Sequence, residues 1–177
     1  MTVDPVIHLT LRLCFICLFV SAAWHKISNI PAFTTSLSNY ALLPRSLNSF
    51  AVWLLVLAEG LCASLLIIGV RESAWLIAAL LSLYSIAMAI TLYQGKKDID
   101  CGCGGPASAQ PLSSSLLIRN IVLIFFALLL LLPSEYRTLM WLDFLHVTIA
   151  TTAVVLLYSC FEIIRANEYY IKPTREM

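Results

Sequence analysis

Five long apolar runs determine the environment in which this chain can fold. They lie near residues 6–24, 50–70, 74–93, 116–132 and 139–161. Each run is close to the roughly 20 residues that an α-helix needs to cross a bilayer. The chain has 60% hydrophobic and 12% charged residues, whereas about a quarter of the residues in soluble domains are charged. The sequence therefore predicts an all-α integral membrane helix bundle.

We expect a single transmembrane domain over residues 1–177, with five transmembrane helices in the lipid bilayer. The first run is not preceded by basic residues and is followed by further runs, which indicates a retained helix rather than a signal peptide. After it, Pro31 and apolar residues at helical spacing predict a short interfacial helix that ends before Pro44. A polar tail is predicted over 162–177. A formal net charge of +1 gives no reason to expect nucleic acid as a partner.

The basic residues predict how the bundle is oriented, because cytoplasmic loops carry an excess of lysine and arginine. Five helices would place the N-terminus and the turns at 71–73 and 133–138 on one side, which carries Arg71 and Arg137. The N-terminus is therefore predicted to be outside and the C-terminus cytoplasmic, with Arg12 left inside the membrane. The other side carries eight basic residues: Lys26, Arg45, Lys96, Lys97, Arg119, Arg165, Lys172 and Arg175.

Two cysteines, Cys101 and Cys103, lie one residue apart in a polar, glycine-rich loop between the third and fourth long helices. The thiolate is the reactive form of cysteine, and the nearby cations Lys97 and Arg119 favour it, whereas the acidic residues at 98 and 100 oppose it. A Cys-Gly-Cys disulfide would close a small, strained ring, and strained disulfides are readily passed to another thiol. The pair is therefore predicted to be a redox pair.

Other interpretations of the cysteines remain open. The loop could be a glycine turn with incidental cysteines, or it could bind a soft ion such as Cu(I), with His25 as a further ligand on the same side. A closed metal site needs more ligands than the loop offers, so neither a metal nor a cofactor is expected. Cys14 and Cys17 are spaced i, i+3 on one helix face and could relay electrons, although small residues at a helix contact are the favoured interpretation.

Charged residues within the apolar runs are costly in a bilayer and mark function or a partner. Arg12 and Glu59 are predicted to lie at depths that an arginine side chain can bridge, and Asp143 lies at a depth that Arg12 could also reach. We expect these three to form a structural network rather than a path for protons or substrate. Lys26 and Arg119 lie nearer to the interfaces and are expected to extend toward water.

Several motifs occur in an order that resembles a known family. Lys26 ends the first helix, and Tyr40-Ala-Leu-Leu-Pro44 follows it. Glu59-Gly60 lies inside the second helix, a charged run leads into Cys101-Gly-Cys103, and Arg119-Asn120 opens the next helix. Together these motifs resemble the methylamine utilisation protein MauE family, within the wider DoxX-like membrane proteins. The resemblance covers about residues 6–132, which would form a four-helix DoxX-like core, and leaves the helix at about 139–161 outside it.

The resemblance implies an inner-membrane protein that helps to mature the methylamine dehydrogenase small subunit, an exported, disulfide-rich client, together with a thioredoxin-like thiol protein. Gly104 stands where an aromatic residue is common in the family, and the additional helix carries Asp143 and His146. Both departures concern the identity of the partner and leave the thiol pair intact.

The resulting hypothesis is that Cys101 and Cys103 exchange a disulfide with a partner, as an accessory thiol–disulfide oxidoreductase would. The alternatives are a non-catalytic membrane chaperone or small transporter, and a copper-handling protein.

Overall fold

The computed structural model describes residues 2–42, 44–95, 112–135 and 137–171. The described residues form six helices. They are α1 (Pro5–Ser28), α2 (Ile30–Tyr40), α3 (Arg45–Ile68), α4 (Ser73–Tyr93), α5 (Ser114–Leu129) and α6 (Trp141–Ile171). Four of them, α1, α3, α4 and α6, are long and apolar enough to cross a membrane, and α5 is a shorter apolar helix. The predicted helical membrane bundle is confirmed.

Local sequence signals explain where α1 and α2 begin and where α3 ends. The carboxylate of Asp4 accepts a hydrogen bond from the backbone N–H of Val6 at 2.8 Å and caps α1. Asn29 caps α2 in the same way, and Pro31 lies in the first turn of that helix, as predicted. Gly69 ends α3 with a φ of 93°, a left-handed conformation that glycine adopts without strain.

One end of the bundle is fastened by backbone hydrogen bonds between the N-terminus and the turn after α5. Val3 donates to the carbonyl of Pro133 and accepts from the N–H of Glu135, each at 3.0 Å. The guanidinium of Arg71 donates to the carbonyl of Leu131. We call this the N-terminal end. The opposite end, where α4 ends and α5 begins, is called the loop end.

The core lies between α1, α3, α4 and α5. Phe15 and Phe19 of α1 stack at a centroid distance of 6.4 Å, and both side chains are buried. Ala74 and Ala78 are among the buried residues of α4, and small side chains of this kind let membrane helices approach closely. Helices α4 and α5 pack along each other, as do α1 and α3.

Helix α6 has a different relation to the bundle, because it packs on α1 but does not pack side by side with α5 within the described residues. The helix was expected to end near residue 161, with a polar tail beyond it. Instead it continues to Ile171, and Glu162 is buried at 1% exposure. Glu162 thus belongs to an inward-facing ion pair within the helix rather than to a polar tail.

Candidate functional site

A buried ionic cluster joins α1, α3 and α4. The Nζ of Lys26 lies 2.5 Å from Oε1 of Glu59, and both side chains are 1% exposed. The hydroxyl of Tyr84 donates to the same carboxylate oxygen at 2.7 Å. The ammonium of Lys26 also lies 5.2 Å from the ring centroid of Phe33 and 5.4 Å from that of Tyr84, within the range of cation–π attraction.

Three different elements are needed to place this cluster. Lys26 lies inside α1 because the helix extends to Ser28, four residues beyond its expected end at Trp24. Glu59 projects from α3, and Tyr84 from α4. The cluster was not found from the sequence, which predicted that Lys26 extends toward water. The signal that could have found it is that Lys26 comes only two residues after the first apolar run, so the same helix can extend to include it.

The expected network of Arg12, Glu59 and Asp143 is not formed. Arg12 donates instead to the carbonyls of Leu66 at 2.5 Å and Ile67 at 2.8 Å. These carbonyls belong to the last turn of α3, where the negative end of the helix dipole attracts a cation. They lie about seven residues, or ~10 Å, beyond Glu59 along the helix, so Arg12 meets them instead of the carboxylate.

Asp143 has a partner of its own at the N-terminal end. Its Oδ1 accepts from the guanidinium of Arg137 at 3.1 Å, and its Oδ2 accepts from the backbone N–H of Met140 at 2.8 Å. An acidic residue in the first turn of a helix interacts favourably with the helix dipole. Asp143 therefore stabilises the start of α6 and takes no part in the Lys26–Glu59 cluster.

A second ion pair links α5 to α6. The Nη1 of Arg119 lies 3.2 Å from Oε1 of Glu162, with side-chain exposures of 15% and 1%. A second guanidinium nitrogen donates to Oδ1 of Asn120 at 3.4 Å. Arg119 was expected to extend toward water, but it faces α6 because a buried carboxylate there requires a cation.

A cavity of about 1400 Å³ lies beside both ion pairs. Residues from all six helices line it, including Lys26, Glu59, Tyr84 and Arg119. Several of its lining side chains, such as Leu54, Leu83 and Val122, are exposed, so the cavity is open to the surroundings of the bundle. Its lining is mostly apolar, so in a membrane lipid chains can occupy it.

Cys14 and Cys17, the pair considered as a relay, both line this cavity as free thiols. The predicted redox pair, Cys101 and Cys103, lies outside the described residues, as does Lys97. The structure describes the end of α4 before that loop, and Leu112 and the start of α5 after it.

The loop end is held together by apolar packing. A buried cluster there contains Tyr40, Met88, Leu112 and Leu116, which brings α2, α4 and the start of α5 together. Among the described residues, no group of three or more His, Cys, Asp or Glu side chains lies close enough together to hold a metal ion.

Comparison with known proteins gives the family. The family described as methylamine utilisation protein MauE matches residues 4–133. The chain belongs to the MauE family. This matched segment contains α1 to α5 with the Lys26–Glu59 cluster, whereas α6 and Glu162 lie beyond it.

Three relatives that carry the name methylamine utilization protein MauE are similar over most of the chain. The methylamine utilization protein MauE of Paracoccus denitrificans is 32% identical over 128 residues, which cover 71% of this chain and 69% of the relative. The protein of the same name from Paracoccus versutus is 34% identical over 127 residues, 71% and 68% of the two chains. That from Methylorubrum extorquens is 34% identical over 134 residues, 73% and 72%. Solved structures give no match.

The Lys26–Glu59 pair yields a stability prediction for this MauE-family protein. Lys26→Met leaves the Glu59 carboxylate buried without its cation, so we expect unfolding free energy to fall by about 3–5 kcal/mol. Adding Glu59→Gln removes the uncompensated charge, and the double variant is expected to be more stable than Lys26→Met alone. Thermal unfolding in detergent micelles measures both effects.

The matched control for this prediction is Arg137→Met. Arg137 forms an ion pair with Asp143 at 3.1 Å, but its side chain is 49% exposed, and exposed pairs contribute about 0–1 kcal/mol. Equal losses for Lys26→Met and Arg137→Met, or a double variant less stable than Lys26→Met, would contradict the assignment of a coupled buried pair.

Proposed function

We propose that this protein supports methylamine utilisation by handling thiols and disulfides during the maturation of an exported protein, through Cys101 and Cys103. Its relatives carry the name methylamine utilization protein, and the proposed client is the small subunit of methylamine dehydrogenase. A thioredoxin-like thiol protein is the proposed exchange partner. The four long apolar helices indicate that the protein lies in a lipid bilayer.

The observation that carries the proposal is the attachment of the cysteine segment to a closely packed pair of helices. The segment follows α4 and precedes α5, and the two helices pack along each other. Leu112 and Leu116, which come directly after the segment, are 2% and 0% exposed in the apolar cluster at the loop end. A reactive pair is most useful on a segment whose two ends are held at fixed positions on a rigid scaffold.

The proposed chemistry is thiol–disulfide exchange. The thiolate of one cysteine attacks a partner disulfide, which forms a mixed disulfide and releases one partner thiolate. The second cysteine then attacks the mixed disulfide, so that Cys101 and Cys103 become oxidised and the partner leaves as a dithiol. The reverse sequence oxidises a partner dithiol. Electrons and protons balance in both directions without any further reactant.

Lys97 and Arg119 are proposed to favour the thiolate form of the pair. Arg119 lies in the second turn of α5, sixteen residues after Cys103, and Glu162 compensates much of its charge. The larger contribution is therefore assigned to Lys97, and Arg119 is proposed mainly to position α5 against α6.

The proposed location is the inner membrane, with the N-terminal end outside and the loop end in the cytoplasm. Two of the eight cations counted at the loop end, Lys26 and Arg119, are paired with carboxylates inside the bundle. Removing them from the count leaves six basic residues at the loop end against two at the other, Arg71 and Arg137. The excess still favours a cytoplasmic loop end. From there, the pair would take electrons from cytosolic thiols and pass them to a membrane thiol–disulfide carrier, which would reduce the external client.

A second candidate function is ligand binding or transport without thiol chemistry, and the cavity beside the Lys26–Glu59 cluster is the observation in its favour. In that case the cysteine segment would only shape a docking loop. The third candidate, copper handling, would require ligands in addition to the two thiolates.

The double variant Cys101→Ser/Cys103→Ser separates these functions. We expect client maturation in cells to fall to the level of a strain that lacks the gene, because serine cannot form or accept a disulfide. Cys14→Ser/Cys17→Ser serves as the matched control and is expected to leave maturation unchanged. Retained maturation in the first variant would favour the binding or transport function. Bound copper that is lost in that variant would favour metal handling.

Labelling intact cells with a membrane-impermeant maleimide tests the orientation. In a chain whose other four cysteines are replaced by serine, we expect Cys101 and Cys103 to react only after the membrane is permeabilised. A cysteine introduced at Glu72, in the turn at the N-terminal end, should react without permeabilisation. The reversed pattern would place the thiol pair outside and contradict the proposed orientation.

A further inference from the structure

We propose that the cavity between α1, α5 and α6 is a binding site for an uncharged bilayer lipid whose head group donates a hydrogen bond to the Lys26–Glu59 cluster. The site is independent of the cysteine segment, so the inference stands or falls separately from the thiol chemistry.

The dimensions of the cavity favour a long-chain molecule. Its lining on α1 runs from Thr10 to Ser28, which corresponds to ~27 Å of helix. That length is close to the roughly 30 Å thickness of the apolar part of a bilayer. The volume of about 1400 Å³ also exceeds the roughly 300–1000 Å³ of pockets that hold small soluble ligands.

The surroundings of the cavity favour entry from the membrane. Val122 and Phe126 of α5 line one wall, and Val154 and Phe161 of α6 line another. The two helices do not pack side by side within the described residues, and these four side chains all remain exposed, so we infer an opening to the lipid between the helices. An acyl or isoprenoid chain can enter this gap without exposing apolar surface to water.

The charges of the site favour a head group without charge. Lys26 is already paired with Glu59 at 2.5 Å, and Arg119 is paired with Glu162 at 3.2 Å. A phosphate in this low-dielectric space would compete with a carboxylate for one of these cations and leave a buried charge without a partner. An uncharged head group avoids that cost.

The hydrogen bonds of Glu59 define what the head group supplies. Its Oε1 accepts from both Lys26 and Tyr84. Its Oε2 is buried and has no hydrogen-bond partner among the described residues, whereas buried carboxylate oxygens are normally paired. Since Glu59 lines the cavity, a lipid hydroxyl placed beside Tyr84 would provide the missing donor.

The test compares three probes with identical acyl chains on the purified full-length protein in detergent micelles. Radiolabelled dioleoylglycerol has a free hydroxyl, its acetate ester has none, and dioleoyl phosphatidic acid carries a charge. We expect dioleoylglycerol to bind at least about tenfold more tightly than the ester, as the loss of one hydrogen bond to a charged group predicts. Equal affinities, or tighter binding of phosphatidic acid, would overturn the proposal.

Two matched tryptophan substitutions on α5 test the place of binding. Val122 lines the cavity and is 46% exposed, whereas Ile121 is 56% exposed and does not line it. Val122→Trp is expected to abolish dioleoylglycerol binding, and Ile121→Trp to preserve it, with equal thermal unfolding midpoints. If both variants bind equally, the lipid lies elsewhere. If Val122→Trp instead breaks a dimer seen by light scattering, the gap is a helix contact between copies, and the proposal is wrong.

Organic extraction of the protein purified from its membranes, followed by mass spectrometry, identifies the native lipid. A hydroxyl-bearing neutral lipid retained by Ile121→Trp and lost from Val122→Trp is the expected result, and a glycerolipid is distinguished from an isoprenoid quinol by mass. Recovery of anionic phospholipids alone, in equal amounts from both variants, would contradict the proposal.

Discussion

The pairing of Lys26 with Glu59 is the interaction on which the rest of this bundle depends. Two charges with 1% exposure each cannot remain in a membrane without one another, because an isolated buried charge costs several kcal/mol. The contact fixes the rotation of α1 against α3, and the hydroxyl of Tyr84 brings α4 to the same point. Three helices thus share one polar centre, and the apolar core packs around them.

The second ion pair extends this arrangement to α6, which packs on the bundle mainly through α1 within the described residues. Arg119 of α5 and Glu162 of α6 meet at 3.2 Å, although their helices do not pack side by side within the described residues. The pair therefore spans the gap beside the cavity. The segment that matches the MauE family ends at residue 133, so Glu162 links the additional helix to a cation within the matched part.

Much of the fold could be predicted from the sequence, because the apolar runs are long and are separated by clearly polar or proline-containing segments. Pro31 marked the short α2, and the motifs around Lys26, Glu59 and Cys101 identified the family. The contacts between charges could not be predicted in the same way. Arg12 donates to backbone carbonyls at the end of α3, and a pattern of side chains does not show which backbone carbonyls will accept such a bond.

The incorrect predictions for Lys26 and for the end of the last helix near residue 161 have a similar cause. A polar residue near the end of an apolar run can mark either the interface or an inward-facing pair, and Lys26 and Glu162 are both of the second kind. Such a choice depends on which helices become neighbours, and periodicity within one helix does not contain that information. The cavity could not be predicted from any one helix, since residues of all six helices line it.

The most direct test of the proposed thiol–disulfide function is the redox state of Cys101 and Cys103 in living cells. Cells that produce the client are quenched in acid, free thiols are alkylated, and disulfides are reduced and labelled with a heavier reagent before mass spectrometry. The proposed function predicts a measurable fraction of chains with both cysteines oxidised, and a change in that fraction when client production stops. Cysteines that carry only the first label under every condition would contradict it.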